Sequence, residues 1–99
     1  GCNVYPMQIE GVLMRISGVG DDYRILLETT GEQDEMVVEV EMKNEWFRGD
    51  LLFLDKLQKQ IARLVRDEVL VNPVVRLVEP GAIPKTDGKA VRVIDNRKR

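Results

Sequence analysis

The sequence predicts a small α+β domain in which two helices lie on one face of an antiparallel sheet of three main strands. Two segments place apolar residues at intervals of three and four, which is typical of helices. Three others alternate between apolar and polar residues or are rich in β-branched residues, which is typical of strands. The 99 residues suit one domain, and folding at this length buries roughly 60 to 65 % of the surface that the unfolded chain exposes.

The first helix is expected to begin at Pro6, because proline suits the first helical position, and to end before Gly18. Two strands follow, "YRILLETT" (23–30) and "EMVVEVEM" (35–42), and the turn-forming "GEQD" between them predicts a hairpin. The apolar stripe of the helix consists of Ile9, Val12, Leu13 and Ile16.

Both strands of this hairpin have two chemically different faces. Glu35, Glu39 and Glu41 share one face of the second strand, and alternate carboxylates usually mark the solvent side of a sheet. We therefore interpret them as an exposed face rather than a cation site. The set expected to face the core is Tyr23, Ile25 and Leu27 in the first strand and Met36, Val38, Val40 and Met42 in the second.

The longest predicted element is a helix over residues 48–69, followed by the strand "NPVVRLVEP" (72–80), which is bounded by prolines. "NVY" (3–5) and "AVRVID" (90–95) are candidates for further short strands. The resulting order, (β)αββαβ, is that of a split βαβ or ferredoxin-like arrangement, which hosts many unrelated functions. The apolar face of the long helix consists of Leu54, Leu57, Ile61, Leu64 and Val65.

Composition restricts the classes of function. A net charge of −2, with 43 % hydrophobic and 32 % charged residues, predicts a soluble globular protein and gives no basis for nucleic-acid binding. No apolar run approaches the length of a membrane span. Cys2 is the one cysteine and histidine is absent, so neither a disulfide within the chain nor the usual zinc or iron site can form, and a cytoplasmic location is expected. Carboxylate sites for magnesium or calcium stay open.

The chain starts with "GCNVYPMQIE", which has neither an initiator methionine nor a signal region. We expect it to be a piece of a longer protein.

The stretch "GAIPKTDGKAVRVID" (81–95) contains the most informative lysine, Lys89, directly after Gly88. It is not a phosphate-binding P-loop, because six residues rather than four separate Gly81 from Gly88, and Ala90 stands where a Ser or Thr should bind magnesium. From composition and spacing alone, Lys89 is interpreted as a solvated turn lysine.

Three other features have structural interpretations. "SGVGD" (17–21) follows a helix and precedes a strand, so it is interpreted as a helix-stopping loop rather than a dinucleotide-binding turn. Trp46 and Phe47 are assigned to one end of the core, with an interface as the alternative. The basic "NRKR" (96–99) is interpreted as a frayed terminus.

The two ends of the chain together resemble one known family. "GCNVYPMQIE" resembles the segment G-x-N-V-x-P-x-x-I-E that opens the C-terminal domain of acyl-adenylate-forming enzymes. "IPKTDGKAVRVID" resembles their last core motif, in which proline-lysine-threonine is followed by glycine-lysine and then an arginine. With "DEMVVEVE" before the long helix, the sequence looks most like the phenylacetate–coenzyme A ligase family, over almost the whole chain.

The resemblance implies a domain, residues 1–99, that works with a large N-terminal domain of the same polypeptide. Such ligases activate an acid, here an aryl or phenylacetic acid, with ATP and Mg, and then transfer the acyl group to coenzyme A. By correspondence, Lys89 in the loop and tail 81–99 is the adenylation lysine, and Gly88 gives its loop freedom. Asp87 and Ala90 replace a frequent serine and a frequent branched residue. The residues expected to approach the pantetheine of coenzyme A are Gly1, Cys2, Asn3 and Val4.

The leading hypothesis is therefore the catalytic cap domain of an AMP-forming acid–coenzyme A ligase, inactive as an isolated piece. The alternatives are a small-molecule-binding regulatory module of βαββαβ order and an interaction domain that acts as a scaffold only. We also expect exposed apolar side chains near the chain start or Trp46, covered by self-association of the isolated domain.

Overall fold

The computed structural model describes residues 6–16, 18–43, 51–86, 89–90 and 92–97. Two helices and six strands follow one another within these ranges. They are α1 (Pro6–Leu13), β1 (Val19–Thr30), β2 (Gln33–Met42), α2 (Leu51–Val69), β3 (Val74–Val78), β4 (Lys85–Thr86), β5 (Lys89–Ala90) and β6 (Val93–Asn96). The predicted αββαβ order is confirmed, and the candidate strand at 90–95 is confirmed in part, because β6 begins at Val93 and Ala90 belongs to β5. The candidate strand "NVY" lies outside the described residues.

The first helix is shorter than its apolar stripe. It ends at Leu13, and the chain continues in tighter turns in which the Arg15 amide donates to the Val12 carbonyl (3.2 Å) and the Ile16 amide to the Leu13 carbonyl (3.1 Å). Such bonds, between residues three apart, keep Ile16 on the buried side after the α-helix has ended.

The four long strands form a mixed sheet in the order β3-β2-β1-β6. β1 and β2 are antiparallel, whereas β3 runs parallel to β2 and β6 runs parallel to β1. The expected antiparallel sheet is therefore wrong for both outer strands. The reason for β3 is the helix α2, which returns the chain to the other end of the sheet and so lets β3 run in the direction of β2.

The predicted β1–β2 hairpin is confirmed. Thr30 pairs with Gln33, so the connection consists of Gly31 and Glu32, and Gly31 has a φ of 64°. A two-residue hairpin turn needs a positive φ at such a position, and glycine adopts it without steric cost.

Both helices pack on one face of the sheet, as predicted. Each core-facing residue expected in β1 and β2 belongs to one buried cluster with α1 and α2. Burying an aliphatic side chain of this kind contributes about 1.5 to 3 kcal/mol relative to leaving it exposed. The helical contribution to the cluster consists of Ile9, Val12 and Leu13 from α1 and Leu57, Ile61 and Val65 from α2, with Leu54 and Leu64 partly buried against it.

The opposite face of the sheet is only partly solvent-exposed. Glu35 is exposed, as expected, but Glu39 and Glu41 are each only 6 % exposed. The interpretation of these two as a solvent side is wrong. Glu39 accepts hydrogen bonds from Arg24 and Arg76 on the two neighbouring strands, and Glu41 is covered by the chain that follows β3.

Neither α1 nor α2, the helices of the described ranges, is long and apolar enough to cross a membrane.

Candidate functional site

A small hairpin carries the lysine singled out from the sequence. β4 and β5 form a separate two-stranded antiparallel sheet in which Thr86 pairs with Lys89 and Lys85 with Ala90. The backbone of Lys89 thus belongs to a strand, and β5 contacts β1 of the main sheet. The sequence between the paired strands is Asp-Gly, a dipeptide typical of two-residue hairpins. Those two residues, Gly88 among them, lie outside the described part of the chain.

The chain entering this hairpin is held by Glu41 of β2. Its Oε1 accepts a hydrogen bond from the Gly81 amide (2.9 Å), and its Oε2 accepts one from the Ile83 amide (3.0 Å). Both oxygens of one buried carboxylate are therefore engaged by alternate backbone amides. Hydrogen bonds to an ionised carboxylate are shorter and stronger than those between neutral groups, so this is a firm attachment.

The turn between β3 and this attachment is tightly built. The Ala82 amide donates to the Glu79 carbonyl at 3.1 Å, and Gly81 has a φ of 81°, a conformation that costs a residue with a side chain but not glycine. Ile83 then buries its side chain, of which 3 % is exposed. The segment is thus fixed by backbone bonds and by one apolar anchor directly before β4.

The chain leaving the hairpin is held by Arg92, the arginine of the C-terminal motif. Its Nη1 donates to the Tyr23 carbonyl at 2.8 Å and lies 3.6 Å from Asp22 Oδ1. The Arg92 carbonyl in turn accepts the Ile25 amide at 2.6 Å. Arg92 therefore joins β1 through its side chain and its backbone, immediately before β6 begins.

All of these contacts lie at one end of the main sheet. There β2 and β3 finish and β1 begins, since Met42 pairs with Val19 and Glu41 pairs with Val78. The packing at this end is close: a Cβ placed on Gly20 would lie 3.0 Å from the Glu41 carbonyl oxygen. The chain is thus attached to this close-packed edge both before and after the hairpin.

One titratable group at this edge is clearly perturbed. Burial raises the pKa of Tyr23 above its ordinary value of 10.0, and the negative charge of Glu10 adds to the rise. The positive charge of Arg92 opposes it. Over the described ranges, no group of three Cys, Asp or Glu side chains is arranged to hold a metal ion.

Several residues predicted from the sequence cannot be located. Gly1, Cys2, Asn3 and Val4, expected near coenzyme A, lie outside the described residues, as do Asp87, Trp46 and Phe47. The described residues add Glu41, which the sequence interpretation assigned to solvent, and they give Arg92 a contact that the motif alone did not specify.

Comparison with known proteins covers nearly the whole chain. The family model described as "AMP-binding enzyme C-terminal domain" matches residues 1–97. A phenylacetate-coenzyme A ligase of Thermus thermophilus is 37 % identical over 99 % of this chain and 25 % of its own length. The chain thus spans about a quarter of the length of that relative.

Two solved structures have the same fold. A domain of phenylacetate-coenzyme A ligase from Bacteroides vulgatus is 46 % identical with a TM-score of 0.87, covering 99 % of this chain and 89 % of that one. A 2-hydroxyisobutyryl-CoA ligase, in complex with 2-HIB-AMP and CoA in the thioesterification state, is 32 % identical with a TM-score of 0.83, covering 95 % of this chain and 20 % of that one. Together with the family match, these similarities show that the chain belongs to the family of AMP-binding enzyme C-terminal domains.

Proposed function

We propose that this chain is the C-terminal catalytic domain of an AMP-forming acid–coenzyme A ligase and that Lys89 acts in its adenylation step. The observation that carries the proposal is the β4–β5 hairpin, in which the backbone of Lys89 lies in a strand that contacts β1. The family match favours this function over a ligand-binding regulatory module or a scaffold.

In the proposed first step, a carboxylate oxygen of the acid attacks the α-phosphorus of ATP, and pyrophosphate leaves. Negative charge accumulates on the acid and phosphate oxygens in the transition state. The ammonium group of Lys89, on its long side chain, stabilises that charge where water is excluded. Mg accompanies ATP, and the remainder of the polypeptide supplies most of the contacts to both.

In the proposed second step, the thiol sulfur of coenzyme A attacks the carbonyl carbon of the acyl-adenylate, AMP leaves with the bonding electrons, and the thiol proton is released to solvent. Residues 1–4 lie near the pantetheine arm in this step, and Gly88 gives the lysine loop its freedom. The two steps use different faces of the domain, so it turns relative to its N-terminal partner between them. This chemistry, with ATP and coenzyme A as co-substrates, is assigned to the cytoplasm.

An aryl acid such as phenylacetate is the proposed substrate class. The support is the printed activity of relatives such as the Thermus thermophilus ligase. The acid pocket belongs to the larger domain, so chimeric ligases test this assignment. If substrate choice followed this domain instead of its partner, the division would be wrong.

The function is tested by Lys89→Ala in the full-length ligase. We expect the rate of acid-dependent pyrophosphate exchange to fall by roughly 100-fold or more, as for loss of a group that stabilises transition-state charge. Formation of the thioester from supplied acyl-adenylate should stay within about twofold of wild type. Lys56→Ala, on the exposed side of α2, is the matched control. An equal loss in both half-reactions would exclude the assigned role of Lys89.

A further inference from the structure

We propose that Glu41 is a positioning residue for Lys89, which sets the direction in which the β4–β5 hairpin leaves the sheet. The proposal deepens the function proposed above and rests on it. Glu41 lies in β2, far from Lys89 in the sequence; it is the last residue of the segment "DEMVVEVE" and lies outside the two terminal motifs.

The geometry of the carboxylate is suited to this role. Oε1 accepts from the Gly81 amide and Oε2 from the Ile83 amide, at 2.9 and 3.0 Å. Two acceptors fixed to one planar group thus hold two amides of the same segment. Two such bonds fix the position of the segment and also its orientation, whereas a single bond would let it rotate.

The backbone of Glu41 is held by contacts with both neighbouring strands. The Glu41 backbone pairs with Val78 of β3, and its carbonyl oxygen is packed against Gly20 at the start of β1. On the other side, β4 begins at Lys85, two residues after the buried Ile83. A change at the carboxylate is therefore transmitted over a short length of chain to the strand that pairs with Lys89.

Burial explains why a carboxylate stands here. An apolar residue would fill this largely buried position at a lower desolvation cost but would leave two backbone amides without their acceptor. Glu41 accepts hydrogen bonds from two backbone amides of the segment that enters the hairpin, which the strands of the sheet do not bond. A carboxylate at position 41 therefore fixes the course of that segment and does not contribute to the apolar core.

The consequence for catalysis is selective. A lysine that must reach between acid and phosphate oxygens loses effectiveness when its base shifts by as little as about 1 Å, at a cost of up to roughly 100-fold in rate. Thioester formation uses another face of the domain in the function proposed above. Loss of the Glu41 attachment should therefore lower adenylation and leave thioester formation largely unchanged.

Two variants of Glu41 remove one or both of its hydrogen bonds to the backbone, and a variant of Glu35 controls for the loss of a carboxylate charge. Glu41→Gln keeps the shape, but its amide group presents a donor to one of the two backbone donors, so one bond remains. Glu41→Ala removes both bonds. Glu35→Gln changes an exposed carboxylate on the same face of the same strand. The Glu35 Oε2 accepts a 3.4 Å hydrogen bond from Thr30 Oγ1 near the turn between β1 and β2, away from the β4–β5 hairpin.

The experiment measures both half-reactions in the full-length ligase. We expect kcat for acid-dependent pyrophosphate exchange to fall roughly 10- to 100-fold in Glu41→Ala and by less in Glu41→Gln, with KM for ATP and acid changed by less than about threefold. Glu35→Gln should match wild type. Conversion of supplied acyl-adenylate to thioester should stay within about twofold in all three variants.

Hydrogen exchange separates a local effect from general destabilisation. In Glu41→Ala and Glu41→Gln, amides in 79–86 should exchange faster while those in α2 remain as in wild type. Unchanged adenylation in a variant with faster exchange at 79–86 would overturn the positioning role, and so would equal losses in both half-reactions or unchanged exchange in Glu41→Ala. If Lys89→Ala in the same assays leaves adenylation intact, the proposed function fails instead, which distinguishes the two failures.

Discussion

The guanidinium of Arg92 lies over the ring of Tyr23, 4.4 Å from the ring centroid, and donates a 2.8 Å hydrogen bond to the carbonyl oxygen of the same residue. The Arg92 side chain therefore contacts both the backbone and the ring of Tyr23 in β1. A planar guanidinium can stack and donate at once, which the ammonium of lysine cannot reproduce.

Replacing Arg92 should destabilise the domain according to how many of its contacts with Tyr23 the new side chain keeps. We expect Arg92→Lys to lower the free energy of unfolding by about 1 kcal/mol, because an ammonium cannot make both contacts at once, and Arg92→Ala by about 2 kcal/mol, because both the cation–π contact and the charge-assisted hydrogen bond are removed. Urea denaturation of the 99-residue chain measures this. Arg63→Ala, at an exposed position of α2, should change stability by less than about 0.5 kcal/mol. Equal effects at both positions would contradict the contact.

The raised pKa of Tyr23 predicts a loss of stability in alkali. Burial, with a contribution from Glu10, holds the folded-state pKa above the ordinary value of 10.0. Below that value the phenol is neutral in both states, so its stabilising contribution is fully present. Above it, the unfolded chain ionises first, and the contribution is lost as pH rises through the folded-state pKa.

The comparison with Tyr23→Phe isolates this effect from that of the lysines. The difference in free energy of unfolding between wild type and the variant should be constant from pH 7 to about pH 9 and then shift against wild type above about pH 10. A difference that stays constant up to pH 11 would show that the pKa of Tyr23 is not raised.

Glu39 and its two arginines predict unequal effects of mutation. The Glu39 side chain is 8 % exposed and lies between Arg24 and Arg76, whose Nη1 is 3.1 Å from Glu39 Oε2. Glu39→Ala should cost about 3 kcal/mol, because it leaves two neighbouring cations without their shared anion. Arg76→Ala should cost less than about 1 kcal/mol, because that side chain is 53 % exposed. Thermal and urea unfolding measure both, and the reverse order would refute this account.

Leu70, directly after α2, offers a stabilising change. It is 84 % exposed and has a φ of 63°, the left-handed conformation that glycine adopts without strain at a helix C-terminus. Leu70→Gly should raise the free energy of unfolding by about 1 kcal/mol. Leu70→Ala, which keeps a Cβ in the same conformation, should match wild type within about 0.5 kcal/mol. A gain in the alanine variant equal to that in the glycine variant would assign the effect to the exposed side chain.

Local patterns predicted both helices and the strands of the main sheet, but neither the β4–β5 hairpin nor the start of β1 at Val19, inside the segment 17–21 that was interpreted as a loop. Alternation in β1 and β2 and the helical period of α2 identified the core faces correctly, because burial on one side of an element leaves a periodic trace in the sequence. Strand direction leaves no such trace. The parallel pairing of Val74 with Val37 and of Val93 with Ile25 depends on where the chain re-enters the sheet, which a strand's own composition does not encode.

The same limit explains the error at Glu39 and Glu41. Alternation correctly placed both on the face opposite the helices, but it says nothing about what comes to cover that face. Arg76 and the amides of Gly81 and Ile83 are brought there by the path of the chain after α2. Lys89, by contrast, was found through a motif, because composition and spacing alone made it an ordinary turn lysine.

The strand order gives the connection between β3 and β6 an unusual span. These strands lie at opposite edges of the four-stranded sheet, so the chain between them crosses the full width of one end, about 14 Å for three strand spacings. The described attachments of this connection lie before and after the hairpin, at Gly81 and Ile83 on Glu41 of β2 and at Arg92 on β1. Because β1 and β2 are paired with each other, a variant that shifts either strand should shift the two ends of the hairpin together.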